Sequence, residues 1–185
     1  MSAHIVIVGA GHAGGTAAAL LRQYGFDGPI TMVGEEPIAP YQRPPLSKAW
    51  LKGEADANSL ALKPLEFYAE NNIDFRPNVK AVAINRGAKT VALSNGETLS
   101  YDNLILATGA RPIQLPIPGA DLDGVLFLRT AEDAEKLKAA LGPGKRLAVV
   151  GGGYIGLEAA ASARALGAEA VVIEREQRLL ARVAC

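Results

Sequence analysis

Apolar positions near the start of the chain change period twice. Ile5–Val8 is an unbroken β-branched run that stops at Gly9, as a strand covered on both faces does. Alanine and leucine then dominate from Ala13 to Tyr24, a composition that favours helix, and Gly25 supplies a residue suited to ending one. "PITMVGEE" is the next strand, ending near Val33. The same order recurs later. Leu147–Val150 is a strand, "GGGYIGLEAAASARALG" is a glycine turn and a helix closed by Gly167, and Ala170–Glu174 is a second strand. The chain therefore carries an internal repeat, at 5–33 and again at 147–174.

The intervening pattern differs. "YQRPPLSKAWL" interrupts periodicity with two consecutive prolines. "SLALKPLEFYAENNIDF" reads as a loop and a short helix, with Pro64 suited to the first turn. From Val79 the runs are short and alternating, broken at Asn85–Gly87 and at Asn95-Gly96. Asn-Gly is a strong hairpin signal, so this stretch predicts an antiparallel meander, followed by a buried strand at Leu104–Ala107. "ARPIQLPIPGADLDG" is rich in proline and glycine and reads as a linker or crossover. Thr130 with Asp133 predicts an N-cap and an acidic third position, opening a helix from Ala131 to about Leu141 that Gly142-Pro143-Gly144 ends.

The glycine turns bring in candidate chemistry. Gly9, Gly11 and Gly14 form GxGxxG: the first glycine permits the tight turn, the second lets a pyrophosphate approach the backbone, and the third lets helix and strand pack closely. Phosphates would sit at the helix N-terminus, where free N–H groups and the dipole favour anions. Glu35, 24 residues after Gly11, can accept hydrogen bonds from ribose hydroxyls. Gly151, Gly153 and Gly156 repeat the motif, with Glu174 21 residues after Gly153. A carboxylate there repels a 2′-phosphate and favours NADH over NADPH, whereas Arg175 beside it is the residue type that NADPH sites use. Each loop has the strand, helix and distal acid that the motif requires. Two different dinucleotides are expected, and a flavin beside a nicotinamide is the economical pairing.

Composition narrows the classes. The chain has 185 residues, formal net charge zero and 49% hydrophobic residues, a soluble α/β profile. Balanced charge and few aromatics give no argument for nucleic acid or for an anionic membrane. The N-terminus has no basic region and too short an apolar run for a signal peptide or a span, so a cytoplasmic location is expected. The single cysteine, Cys185, leaves no intrachain disulfide and no Cys-x-x-Cys pair for redox or zinc, and no metal site is expected. His4 and His12 read as structural or exposed. Tyr41 and Trp50 read as packing. From its residues alone, "RPPLSK" is equally a proline turn with solvated charges and a positioned cation.

"VIVGAGHAGG", "VGEEPIAPYQRPPLSKAWL", "LILATGARP", "FLRTAEDA" and "VVGGGYIGLEAAASARALG" together resemble the N-terminal part of the FAD-dependent pyridine nucleotide oxidoreductases. Within them the chain is most similar to the NADH-dependent ferredoxin or rubredoxin reductases of bacterial oxygenase systems. The resemblance implies an α/β fold. A Rossmann-like, three-layer FAD-binding domain with a small antiparallel meander would occupy residues 1–112, and the start of a second, Rossmann-like NAD(H)-binding domain residues 113–185. Family members are about twice this length, so both domains are expected to be incomplete and the chain truncated.

The resemblance also implies roles. NADH would reduce FAD, and FAD would pass single electrons to a ferredoxin or rubredoxin, because the redox cysteines of disulfide-reducing relatives have no counterpart here. Lys48 would lie beside flavin N5, paired with Glu158 near the nicotinamide. Ala13 and Glu35 would meet the ADP half of FAD, Ala81 its adenine, and Arg43, Arg111 and Arg129 the flavin nucleotide. Ile155 would belong to the NADH loop and Arg182 would lie near it. Each arginine is otherwise an ordinary surface residue. The alternatives are a relative that reduces a small molecule, as monodehydroascorbate reductases and nitrite reductase flavin subunits do, and an inactive nucleotide-binding or interaction fragment.

Overall fold

The computed structural model describes residues 2–181. The chain divides into two compact units, 1–42 with 57–110, and 43–56 with 111–185.

In the first unit, four parallel strands form one sheet in the order β3-β2-β1-β7, with β1 Ile5–Val8, β2 Ile30–Val33, β3 Ile73–Arg76 and β7 Asn103–Leu106. Alternation in β1 and β2 distributes side chains to two layers. Ile5, Ile7, Ile30 and Met32 pack with Ala18 of α1 (His12–Gln23) and Tyr68 of α3 (Leu65–Glu70). Val6, Val8 and Val33 pack on Val91 and Leu93 of the antiparallel meander β4 Ala81–Asn85, β5 Thr90–Leu93 and β6 Thr98–Ser100. Helices, parallel sheet and meander are thus the three expected layers. One guanidinium, Arg22 at the end of α1, donates to the carbonyls of Phe26, Gly28, Asn71 and Asn72 at 2.6–2.8 Å and ties the helix ends to the loops around them.

Two elements of this unit depart from expectation. Ile73–Arg76 is a strand rather than the tail of a loop and helix. Its four residues carry two charges, and only Ile73 is fully buried, so its apolar pattern is too weak to read without its partner β2. The strand expected as buried at Leu104–Ala107 runs from Asn103 to Leu106 and is half-exposed, with Leu106 60% accessible. Among the described residues it pairs with β1 alone. A four-residue helix, α2 Ala57–Leu60, is a further element that the sequence pattern does not announce.

In the second unit, β8 Arg146–Val150 and β9 Glu169–Ile173 pair in parallel, Leu147 opposite Ala170 and Val150 opposite Ile173. The intervening helix α5 (Tyr154–Ala165) ends at Gly167, whose φ is +85°. The helix α4 (Ala131–Ala140) has the expected capping box: the Asp133 N–H donates to Thr130 Oγ1 and the Thr130 N–H to Asp133 Oδ2. Leu51, Leu137 and Ala159 form its core. The segment 43–56, read from sequence as part of the first domain, belongs to this unit. Pro44–Ser47 is a 3-10 turn, and Leu51, just beyond it, packs on α4 and α5. Buried contacts rather than chain order define a folded unit.

Candidate functional site

Both glycine loops adopt the geometry that their spacing anticipates. Gly9 has φ +110° and Gly151 φ +106°, a region that side chains disfavour. A Cβ on Gly14 would stand 1.8 Å from the Gly9 carbonyl oxygen, and one on Gly156 2.4 Å from that of Gly151. Gly11 and Gly153 are the N-caps of α1 and α5, with no side-chain cap and no acid in either first turn. The contrast with α4, whose N-terminus is closed by Thr130 and Asp133, is chemical. The first-turn N–H groups of α1 and α5 receive no side-chain acceptor from their caps, which suits an incoming phosphate. A Cβ on Gly153 would meet nothing within 4 Å, so space lies open over the second loop.

In the first unit, the end of β2 gathers the other expected residues. Glu35 lies 3.5 Å from Lys80 Nζ. The N–H groups of Val79 and Asn78 donate to the carbonyls of Gly34 and Glu36, which brings Ala81, at the start of β4, to the same end of the sheet. Ala13 is exposed in the first turn of α1. Gly34 escaped notice in the sequence, although a Cβ there would come within 2.5 Å of Ala10 Cβ. Tyr41 and Trp50 are buried, as packing residues are, and the Tyr41 hydroxyl donates to Glu36 at 2.6 Å.

In the second unit, Lys48 Nζ lies 2.7 Å from Glu158 Oε2 and donates to the Pro44 carbonyl at 3.1 Å. The structure thus joins two residues 110 positions apart. Ser47 Oγ donates to the same Glu158 oxygen at 2.6 Å, and Ser162 Oγ donates to the Ser47 carbonyl at 2.7 Å. The Lys48 hydrogen bond, and then that from Ser47, hold the Glu158 carboxyl below the usual carboxylate range. The arrangement presents a half-exposed ammonium on an ionised carboxylate. The two serines were missed in the sequence; the signal available was Ser162 four positions after Glu158, on one helix face.

The other expected residues are more dispersed. Arg43 Nη1 donates to the Arg129 carbonyl at 2.5 Å, and the Arg129 N–H donates to Asp133. Arg111 is exposed in the proline-rich segment, and Ile155 is exposed in the first turn of α5. The Glu174 carboxylate accepts from the Gly152 N–H at 2.7 Å and from the Glu176 N–H at 2.9 Å, so it ties β9 to the second loop. Arg175 is paired with Glu176. Arg182 and Cys185 lie outside the described residues. Among the described residues, no three metal-ligating side chains gather, and no helix is long and apolar enough to cross a membrane.

Two glycine loops opening uncapped helices, each followed by a strand with an acid at its end, match the model of the pyridine nucleotide-disulphide oxidoreductases over residues 3–184. The chain belongs to that family. It is 54% identical over 180 residues to a probable ferredoxin reductase, CtmF, of Castellaniella defragrans, covering 97% of this chain and 44% of that protein. It is 48% identical over 179 residues to a rubredoxin-NAD(+) reductase of Pseudomonas putida, covering 97% and 46%. Among solved structures, the ferredoxin reductase of the CYP199A2 system from Rhodopseudomonas palustris superposes with a TM-score of 0.93 at 41% identity, covering all of this chain and 45% of that one. The reductase in the covalent putidaredoxin reductase–putidaredoxin complex gives 0.91 at 42%, covering 99% and 45%. The chain therefore spans under half the length of these members of the family.

Proposed function

We propose that this chain forms the nucleotide-binding part of an NADH-dependent flavoprotein reductase that delivers electrons to a ferredoxin- or rubredoxin-type iron–sulfur protein. The observation that carries the reading is the Lys48–Glu158 pair at 2.7 Å, set on the helix that opens from the second glycine loop. The similarity to ferredoxin and rubredoxin reductases supports it. So does the cysteine content: the chain's one cysteine provides no dithiol to carry electron pairs.

The uncapped α1 loop fits the pyrophosphate of FAD, with Glu35 accepting from ribose hydroxyls and Ala13 and Ala81 along the ADP half; a role for Arg43, Arg111 and Arg129 at the flavin nucleotide rests on the family resemblance alone. The α5 loop fits NADH, with Gly153 leaving room for its pyrophosphate and Ile155 in the first turn. Glu174 disfavours a 2′-phosphate. Bound FAD supplies the chemistry that converts a two-electron donor to one-electron delivery. With FAD bound, Lys48 would supply a positive charge able to stabilise the negative charge of the reduced group. Glu158 keeps Lys48 in place.

The test is the visible absorption spectrum of the 185-residue chain after incubation with FAD and gel filtration. A retained flavin band that NADH bleaches is the expected result; a colourless protein would show that these 185 residues do not hold FAD by themselves. In a protein spanning the relatives' full length, Lys48→Ala should keep FAD and slow its reduction by NADH about tenfold or more, read by stopped flow. An unchanged rate would take Lys48 out of the mechanism.

A further inference from the structure

We propose that Ser47 and Ser162 are positioning residues for the Lys48–Glu158 pair: Ser162 anchors the main chain of the Pro44–Ser47 turn to α5, and Ser47 aims the Glu158 carboxylate at Lys48. The proposal deepens, and rests on, the reading that this pair works beside the bound dinucleotides.

The two serines form a clasp with both fixed points on one helix. Glu158 and Ser162 are four residues apart on α5 and therefore share a face. A serine inside a helix commonly bonds back to the carbonyl four residues before it. Ser162 instead reaches a carbonyl 115 positions away, at Ser47. Ser47 accepts that bond through its main chain and, through its side chain, donates back to Glu158. Both serines are buried, at 4% and 5% exposure. Their hydroxyl protons must therefore be used, since an unpaired buried hydroxyl is costly. The Ser47 hydroxyl has one proton and two acceptors in reach, the Pro44 carbonyl at 3.4 Å and Glu158 at 2.6 Å. The shorter bond to the charged acceptor takes it.

The consequence is directional. Ser47 Oγ and Lys48 Nζ converge on the same oxygen, Glu158 Oε2. Lys48 is the charge against this carboxylate, while Lys138 of α4 lies beside Gly53 instead. A flexible lysine on an exposed carboxylate would sample many geometries. Here the carboxylate is held by a buried hydroxyl, and the residue carrying the lysine is held one peptide away.

The experiment uses the full chain with carboxyl-labelled glutamate. The Glu158 titration is followed by carbon NMR, with the signal assigned by its absence in Glu158→Gln. Ser47→Ala should raise the Glu158 pKa by several tenths of a unit to about one unit, and Ser47→Thr should restore it. Ser162→Ala should move it the same way by less and speed amide exchange at Lys48 severalfold, with rescue by Ser162→Thr. Ser47→Cys, which keeps the size and donates weakly, gives the same reading should the alanine variant not fold. A purely structural role would lower the melting temperature without moving this titration. A Glu158 that titrates as in wild type in Ser47→Ala would overturn the proposal. Because this readout needs no flavin, its failure is distinct from a failure of Lys48→Ala to slow flavin reduction, which would instead remove the role of the pair.

Discussion

Three glycines that look alike in the sequence have different jobs, and substitution separates them. Gly153 has an ordinary φ of −82° and open space where a Cβ would go. Gly153→Ala should therefore leave the melting temperature within about 2 °C while weakening NADH binding at least tenfold, read by fluorescence titration. Gly14→Ala drives a Cβ into the Gly9 carbonyl, and Gly9 itself sits at positive φ. Either alanine should cost about 2 kcal/mol or more, measured by denaturant unfolding. Glu158 gives a pH prediction. Its folded-state pKa lies below its ordinary value because of Lys48 and Ser47. Its contribution to stability is thus present above the unfolded value and lost as pH falls through the lowered folded one. Between about pH 5 and about pH 3, wild type should lose more melting temperature than Glu158→Gln; parallel losses would show that the pair contributes nothing to folding. At this scale the motif glycines were legible because backbone geometry restricts the residue type. Ser47 and Ser162 were not, since serine is acceptable in a turn or on a helix face for many reasons.

Elements with strong local signals match the structure closely. The α4 cap was readable from Thr130 and Asp133, because capping chemistry acts within one turn. Thr130→Ala should cost about 1 kcal/mol by denaturant unfolding. The Asn95-Gly96 hairpin was legible for the same reason, with Gly96 at φ +88°. Elements that depend on neighbours were read poorly. β3 is a strand because Ile73 to Arg76 run beside β2, and nothing within those four residues announces it. β7 was expected to be buried, and it is half-exposed. Burial depends on what covers a strand, and β7 pairs on one side among the described residues.

For the molecule as a whole, the informative result is the membership of residues 43–56. Leu51 is fully buried against Leu137 and Ala159, so this segment should be stabilised with the second unit. Leu137→Ala should cost about 2–4 kcal/mol. It should raise hydrogen exchange across Ala49–Gly53 together with α5, leaving Ile5–Val8 protected as before. Faster exchange throughout Ile5–Val8 instead would place the segment's stability in the first unit. By itself, the sequence determined the repeat of strand, glycine turn, helix and strand, the meander, the α4 cap and the family, because each is written in residues close together or in motifs with a narrow steric meaning. Tertiary structure alone decided that the lysine-bearing turn rides on the second glycine loop's helix, that one glutamate oxygen takes both Lys48 and Ser47, and that β7 is half-open. Those outcomes depend on which distant surfaces bury each other, and the free energy of that burial belongs to pairs of segments rather than to either one.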